Sequence, residues 1–312
     1  MSQPTPILHH FDQSPFSEKI RVIFGFKQLA WNSVRISRIM PRPDLMPMTG
    51  GYRRTPTMQI GADIYCDTQI IIRELERRFP TPTLFPAGHA GMPWALGMWT
   101  DRPFFQSTVN LVFGFIGDKV PQDFIADREK LRGGKFDIAA MTAALPQMRD
   151  QFRANVDWIE AQLGDNRPFL FGEFSLADVS AYMNVWYARQ SLATMDEMMK
   201  SWPRIAAWEQ RIRAIGHGTR TEMSSGDALE IAAKARPESP VFGDPADPNG
   251  RKPGDIVSVM PDDYGKVPVR GEIVSLSAQH IAIRRSDERA GAVVVHFPDR
   301  KSGSAGMPRP IS

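Results

Sequence analysis

The sequence contains almost no cysteine: Cys66 is the only one among its 312 residues. An internal disulfide is therefore excluded, and the cysteine usage gives no sign of an oxidising compartment. The first residues lack the basic start and apolar run of a secretory signal, and no run of about 18 uncharged apolar residues occurs that would span a membrane. We therefore expect a cytoplasmic protein without a membrane-spanning segment.

A large excess of charge of one sign is also missing. The formal net charge is +3 and no long block of lysine and arginine occurs, so we expect no nucleic-acid partner and no membrane partner. The histidines are scattered: His9 and His10 would point to opposite faces of a strand, and no zinc-binding spacing is present. The sequence therefore predicts no metal site.

Residues 1–82 alternate between strand and helix patterns. The segments 6–11 and 31–37 have the pattern of strands, and apolar residues recur at helical spacing between them. A strand–helix–strand order is the crossover unit of a parallel sheet. Two short strands around Gly61 and a helix after Thr68 follow, so we expect an α/β domain over residues 1–82.

The rest of the chain divides into three further parts. From 90 to 216 every strong pattern is helical, which predicts an all-helical domain. Residues 217–252 are rich in glycine, serine, aspartate and proline and are interpreted as a linker. Four short strands with turn residues between them predict a small all-β, barrel-like module over 253–301.

Ser14 stands directly before a proline at the start of the first predicted helix. Serine followed by proline is the expected pair for the cap and first turn of a helix, so a structural role is sufficient to explain it. Ser17 lies one turn along the same helix. Either hydroxyl, however, is also placed to contact a ligand at the helix start.

Three further motifs accompany this serine. They are Thr55-Pro56 in "RRTPTMQI", Asp67-Thr68 in "CDTQIIIRELERRFP", and a capping box in "FSLADVSAYM". With the order of the elements, these motifs resemble the glutathione transferase family over residues 6–215. The resemblance implies a thioredoxin-like α/β domain, an all-α helical domain, a cytosolic enzyme and a homodimer. Asp178 of the capping box is expected to act in folding and not in chemistry.

The resemblance also implies which residues bind glutathione, the co-substrate. In the family the proline that matches Pro56 follows a cis peptide bond, and the backbone of the residue matching Thr55 pairs with the cysteinyl part of glutathione. Arg54 stands where many relatives place a lysine near the glycyl carboxylate. Arg53 is the alternative for that role.

Asp67 and Thr68 match the acidic and hydroxyl pair that holds the γ-glutamyl group in the family. A hydroxyl and backbone amides at a helix N-terminus bind a carboxylate, while the aspartate accepts from the ammonium group. Asp67 would also cap the helix, and the two roles are compatible. The neighbouring Cys66 is interpreted as a buried small apolar residue.

Within this resemblance Ser14 occupies the position from which serine-type relatives contact the glutathione sulfur. Its Ser-Pro-Phe sequence is similar to the Cys-Pro-Phe of omega-type relatives, but a serine cannot form a mixed disulfide. A hydroxyl donor and a helix N-terminus stabilise a thiolate and lower the pKa of the thiol. Ser14 is therefore the predicted catalytic residue, with Ser17 as the fallback donor, and the activated thiolate would attack a hydrophobic electrophile.

Aromatic side chains are dense between Trp94 and Phe115. Most are expected in the core between helices, and a few are expected to line a pocket for an apolar electrophile. The alternative function is a non-catalytic scaffold or binding protein that acts through its C-terminal β module. The loose assignment of Arg54 or Arg53 to the glycyl carboxylate and the atypical loop "MPRPDLMPMTGGYRR" support that alternative.

Overall fold

The first unit of the fold is the predicted α/β domain. The computed structural model describes residues 4–298 and the strand residues 309–310. The elements of this unit are β1 (Ile7–His10), α1 (Pro15–Phe26), β2 (Ala30–Arg35), α2 (Leu45–Thr49), β3 (Thr57–Ile60), β4 (Asp63–Cys66) and α3 (Thr68–Arg78). β1 pairs in parallel with β2 and antiparallel with β3, which in turn pairs antiparallel with β4. The predicted thioredoxin-like arrangement is confirmed.

The second unit is all-helical, as predicted. Its elements are α4 (Met92–Trp99), α5 (Phe105–Ile116), α6 (Gln122–Arg132), α7 (Ile138–Ala143), α8 (Leu145–Gln162), α9 (Leu176–Ser191), α10 (Met195–Met199) and α11 (Pro203–Ile215). A π-helical turn, Thr100–Phe104, joins α4 to α5. α9 packs against α1, so one apolar core includes both units. No helix among the described residues has the length and apolar character needed to cross a membrane.

The start of α9 is held by the buried carboxylate of Asp178. One oxygen accepts from the amide of Leu170 at 2.8 Å and from the indole of Trp208 at 2.9 Å. The other accepts from the amide of Ser175 at 3.0 Å and from its hydroxyl at 2.7 Å. The predicted capping box is therefore present, and Asp178 lies in the core as a structural group.

The C-terminal strands continue the sheet of the first unit. The remaining elements are β5 (Thr219–Glu222), α12 (Ser225–Lys234), β6 (Ile256–Val259), β7 (Val269–Ser277), β8 (His280–Asp287), β9 (Gly291–Phe297) and β10 (Arg309–Pro310). The described strands form one sheet in the order β10-β6-β7-β8-β9-β4-β3-β1-β2-β5, in which β9 pairs in parallel with β4. The additional strands are confirmed, but they extend an existing sheet instead of standing apart as a barrel. β4 would otherwise expose an edge of unpaired backbone groups.

The prediction of a linker over 217–252 is wrong in part, because the segment contains two regular elements. β5 pairs in parallel with β2 at the other edge of the sheet, and α12 packs its buried Leu229 and Ala232 into the core under the C-terminal strands. The sequence of β5 is polar and lacks the alternation of apolar and polar residues that marks a strand, because this edge strand is held by its backbone hydrogen bonds to β2. Composition alone therefore could not identify it.

Candidate active site

Two adjoining cavities lie where the first unit meets the helical unit. The first cavity has a volume of about 540 Å³ and the second about 470 Å³. Their shared wall consists of Phe16, Arg54, Thr55, Phe105, Val109, Arg132 and Tyr264. A ligand that fills both cavities therefore contacts the start of α1, the loop before β3, α5, α6 and the C-terminal extension at once.

The first cavity contains the predicted Thr55-Pro56 pair. The peptide bond between these residues is cis, as the resemblance implies. The hydroxyl of Thr55 accepts from Arg42 at 3.1 Å, which restrains its side chain. Thr55 lines both cavities, whereas Pro56 lines only the first.

Asp67 and Thr68 lie together in the wall of the first cavity, at the start of α3. The Asp67 carboxylate accepts from the amide of Gln69 at 2.9 Å, so it caps the helix as expected. Its backbone has a φ of 102°, which is rare for a residue other than glycine and costs about 1–3 kcal/mol. Such backbone conformations concentrate at ligand-binding sites, and here the conformation turns the chain at the cavity wall.

Ser14 lines the second cavity, beside the shared wall. Its Oγ accepts from the amide of Ser17 at 3.2 Å, and among the described residues no acceptor lies within hydrogen-bond distance of its own proton. That proton is available to a ligand. Ser17 is fully buried, its hydroxyl has no partner among the described residues, and it lines neither cavity. The geometry therefore favours Ser14 over Ser17.

Arg54 is placed in both cavities, but its charge is already paired. Its guanidinium forms an ion pair with Asp263 and donates to the carbonyl of Tyr264. The carbon of the guanidinium also lies 3.9 Å from the centre of the Tyr264 ring. A glutathione carboxylate would share Arg54 with Asp263. The alternative candidate, Arg53, is bound to Asp127 at 2.5 Å.

The loop between β6 and β7, residues 260–268, supplies site residues that sequence reasoning missed. Asp263 and Tyr264 line the first cavity, and Tyr264 also lines the second. The amide of Gly265 donates to the carbonyl of Leu131 at 2.8 Å, which anchors the loop on α6. Gly265 has a φ of 62°, which favours glycine, and a Cβ there would lie 2.8 Å from a Leu131 methyl group, which would have to shift. The only local signal was an aromatic residue in a polar turn.

The two cavities differ in charge. Among its described lining residues the first cavity has three arginines and three aspartates: Arg54, Arg102, Arg132, Asp67, Asp101 and Asp263. The lining of the second cavity, over the same described part of the chain, has no acidic residue and seven cations: Arg38, Arg42, Arg53, Arg54, Lys119, Arg128 and Arg132. The first cavity therefore offers partners for both signs of charge, and the second for anions.

Comparison with known proteins shows which family has this fold. A family model for the N-terminal domain of glutathione S-transferases matches residues 8–83, and one for the C-terminal domain matches residues 142–211. A solved structure of a GST-like protein from Pseudomonas syringae has 36% sequence identity and a TM-score of 0.78, and the match covers 95% of this chain and 97% of that one. The chain belongs to the glutathione S-transferase family. Because the match covers 95% of the chain, the C-terminal extension has a counterpart in that protein.

More distant solved structures, one of them a glutathione S-transferase, share the fold alone. One from Rhodospirillum rubrum has 18% identity and a TM-score of 0.53, covering 67% of this chain and 88% of its own. The β-etherase LigF from Sphingobium sp. strain SYK-6 also has 18% identity, with a TM-score of 0.50 and coverage of 67% and 95%. A search of curated proteins gave no match.

Cys66, His9 and His10, to which the sequence analysis assigned no site role, lie in the core of the first unit. Cys66 is fully buried, and burial raises the pKa of its thiol, so it carries no thiolate. Burial lowers the pKa of His9 to about 4 and that of His10 to about 3. Of the aromatic residues between Trp94 and Phe115, Phe105 and Phe113 line the second cavity, in agreement with the expectation for a minority of them.

Proposed function

We propose that the protein is a glutathione-dependent transferase in which Ser14 stabilises the glutathione thiolate for attack on an electrophilic carbon. The observation that carries the proposal is the contact between the two cavities at Thr55. The Asp67–Thr68 pair lines the first cavity, Ser14 lines the second, and Thr55 lines both. A tripeptide bound at the first cavity would therefore present its cysteine toward the serine hydroxyl.

Each residue has a distinct role in this proposal. Thr68 and the amides at the start of α3 bind the γ-glutamyl carboxylate, and Asp67 accepts from the ammonium group. The backbone of Thr55, before cis Pro56, pairs with the cysteinyl residue. Arg54, shared with Asp263, lies near the glycyl carboxylate. The mixed charge of the first cavity supports a zwitterionic ligand of this kind.

Ser14 acts by hydrogen bonding and not as a base. A free cysteine thiol has a pKa of about 8.5. Donation of the Ser14 hydroxyl to the sulfur, together with the dipole of α1, favours the anion and lowers that pKa. The thiol proton leaves to solvent, the sulfur forms a bond to the electrophilic carbon, and the leaving group departs with its electron pair. Reductive dehalogenation, ether cleavage and isomerisation use the same activated sulfur.

The test is a titration of the thiolate absorbance of bound glutathione, preceded by a calorimetric measurement of binding. The wild type is expected to lower the thiol pKa, Ser14→Ala is expected to return it toward that of free glutathione, and the matched control Ser17→Ala is expected to leave it lowered. Absence of glutathione binding would refute the proposal. Loss of the shift in Ser17→Ala alone would refute the choice of Ser14.

Three expectations from the sequence stay predictions: a homodimer, a cytoplasmic location, and the alternative function as a scaffold. A scaffold function would require the C-terminal module to bind a partner through a surface separate from the cavities. Tyr264 and Asp263 instead line the cavities that contain the proposed site. This placement favours the enzyme over the scaffold.

A further inference from the structure

The cations of the second cavity exceed the carboxylates available to them. Arg53 and Arg128 share one carboxylate, that of Asp127, at 2.5 and 2.7 Å. Arg54 takes Asp263. The other four cations that line the cavity have no carboxylate within ion-pair distance among the described residues. The wall therefore carries several positive charges that nothing in the described part of the chain neutralises.

One of these four cations without a carboxylate partner, Arg42, is buried. Its side chain is 6% exposed, and it donates to three backbone carbonyls and to the hydroxyl of Thr55. Burial, with the charges of Arg128 and Arg53, lowers the pKa of Arg42 to about 10. The group thus stays protonated at neutral pH, and an anion in the cavity would relieve the repulsion among these guanidinium groups.

The two exposed arginines of the cavity wall, Arg38 and Arg132, lie against aromatic rings and not against acids, and the acid-paired Arg128 shares one of these rings. The guanidinium of Arg132 lies 5.1 Å from the ring centre of Phe136, and those of Arg128 and Arg38 lie 4.2 and 5.9 Å from that of Phe124. A cation–π contact positions a guanidinium but leaves its charge and its donors available. The cavity therefore presents fixed, uncompensated donors.

The same rings form an apolar wall in the second cavity. Phe113 lies between Phe124 and Phe136, with ring centres 5.6 and 5.1 Å away. All three line the second cavity with Phe105, beside Ser14. Aromatic ligands pack on such walls in offset or edge-to-face geometry. The pocket thus joins an aromatic surface to an anion-binding rim.

We infer that the second substrate is an aromatic electrophile that carries a carboxylate. This inference rests on the proposed function and narrows the hydrophobic electrophile expected from the sequence to one that carries a carboxylate. The aromatic ring packs on the phenylalanine wall, the carboxylate meets the arginines, and the electrophilic carbon faces the sulfur. With an aryl chloride the sulfur–carbon bond forms, the carbon–chlorine bond breaks, and chloride leaves with the electron pair.

Two electrophiles that differ only in charge test the inference. They are 4-chloro-3,5-dinitrobenzoate and the corresponding benzamide, which have the same ring, leaving group and size. For each, kcat/KM is divided by the uncatalysed rate constant with glutathione, which removes the difference in intrinsic reactivity. We expect a preference for the benzoate of about tenfold, falling as ionic strength rises because salt screens exposed charges.

The variant Arg38→Gln/Lys119→Gln removes two exposed cations that line the second cavity but not the first. It is expected to abolish most of the preference for the benzoate while the benzamide rate changes little. The matched control is Arg153→Gln, an exposed arginine on α8 outside the cavity, which should keep the full preference. The KM for glutathione is measured with the benzamide in each variant.

The outcomes separate the inference from the proposed function. Turnover of both compounds with no preference for the benzoate refutes the inference and leaves the transferase standing. If neither compound is turned over, the proposed function fails for this reaction, and calorimetric binding of the two compounds decides the inference. Tighter binding of the benzoate, reduced in Arg38→Gln/Lys119→Gln but not in Arg153→Gln, supports it. Equal binding refutes it.

Discussion

Replacing Asp178 by alanine is expected to destabilise the fold strongly without altering the chemistry of the folded enzyme. The change leaves three buried N–H donors without their acceptor: the amides of Leu170 and Ser175 and the indole of Trp208. Each orphaned donor costs about 1–3 kcal/mol. Burial raises the pKa of Asp178 because a buried charge is unfavourable. Removing the charge therefore offsets part of the cost of the orphaned donors. We therefore expect a loss of about 3 kcal/mol, out of a typical stability of about 5–15 kcal/mol.

The matched variant Asp178→Asn separates hydrogen bonding from charge. One oxygen of Asp178 accepts from both Leu170 and Trp208, and an asparagine carbonyl can keep both bonds. Its amide group would instead face the amide of Ser175, which leaves one orphaned donor and a cost of about 1 kcal/mol.

Urea unfolding, followed by tryptophan fluorescence and analysed at equal m-value, measures both Asp178 variants. Conjugation activity per folded molecule is expected to equal that of the wild type. A loss below about 1 kcal/mol for alanine, or a larger loss for asparagine than for alanine, would refute the reasoning. A lower kcat/KM in correctly folded protein would show that Asp178 acts beyond folding.

Three further predictions concern the loop of the C-terminal extension and the response to acid. Gly265→Ala is expected to weaken glutathione binding, measured by calorimetry, because the added Cβ would press on Leu131 and displace the loop. Gly250→Ala is the control, since Gly250 has a similar φ of 66° with nothing near its Cβ, and it should leave binding unchanged. Equal effects of the two substitutions would contradict a role for the position of the loop. Asp263→Asn is expected to tighten glutathione binding by about 1 kcal/mol because it frees the charge of Arg54, and weaker binding would instead make Asp263 a positioning residue. His10 has a pKa lowered to about 3 by burial, so its neutral form is favoured in the folded state and stability falls as pH drops below about 6.5. Urea unfolding at pH 7.5 and pH 5 should show a loss about 2 kcal/mol smaller in His10→Gln, and an equal loss would refute this assignment.

Local sequence was sufficient for the parts of the site that local physics determines. Ser14 followed by Pro15 begins α1 because a hydroxyl and a missing N–H solve the capping problem within three residues. Asp67 begins α3 because its carboxylate accepts from the amide of Gln69, two residues along. The cis bond before Pro56 followed from the family resemblance, since neither isomer of such a bond can be chosen from neighbouring residues alone.

Long-range pairing determined the parts that sequence reasoning missed. β9 pairs with β4 across more than two hundred residues, and this pairing places the β6–β7 loop over the cavities. Nothing within "PDDYG" distinguishes a cavity wall from an exposed turn. The same holds for the arginines of the second cavity, which come from the loop after β2, the loop before β3, and α6. Their excess charge is invisible in a sequence whose overall charge is only +3.

The core beneath the C-terminal strands explains why this extension acts as part of the enzyme. Leu45, Met48, Tyr52 and Ile64 of the first unit are buried in one cluster with the apolar residues of β6–β9. The larger apolar core of the extension is therefore shared with the first unit, which fixes the position of the extension relative to α2 and β4. A loop anchored on such a base can present Asp263 and Tyr264 to the cavities without the freedom of an exposed segment. The ion pair of Arg54 with Asp263 and the Tyr264 ring in the shared wall are thus consequences of the added strands, which makes the extension a determinant of the site instead of an appendage.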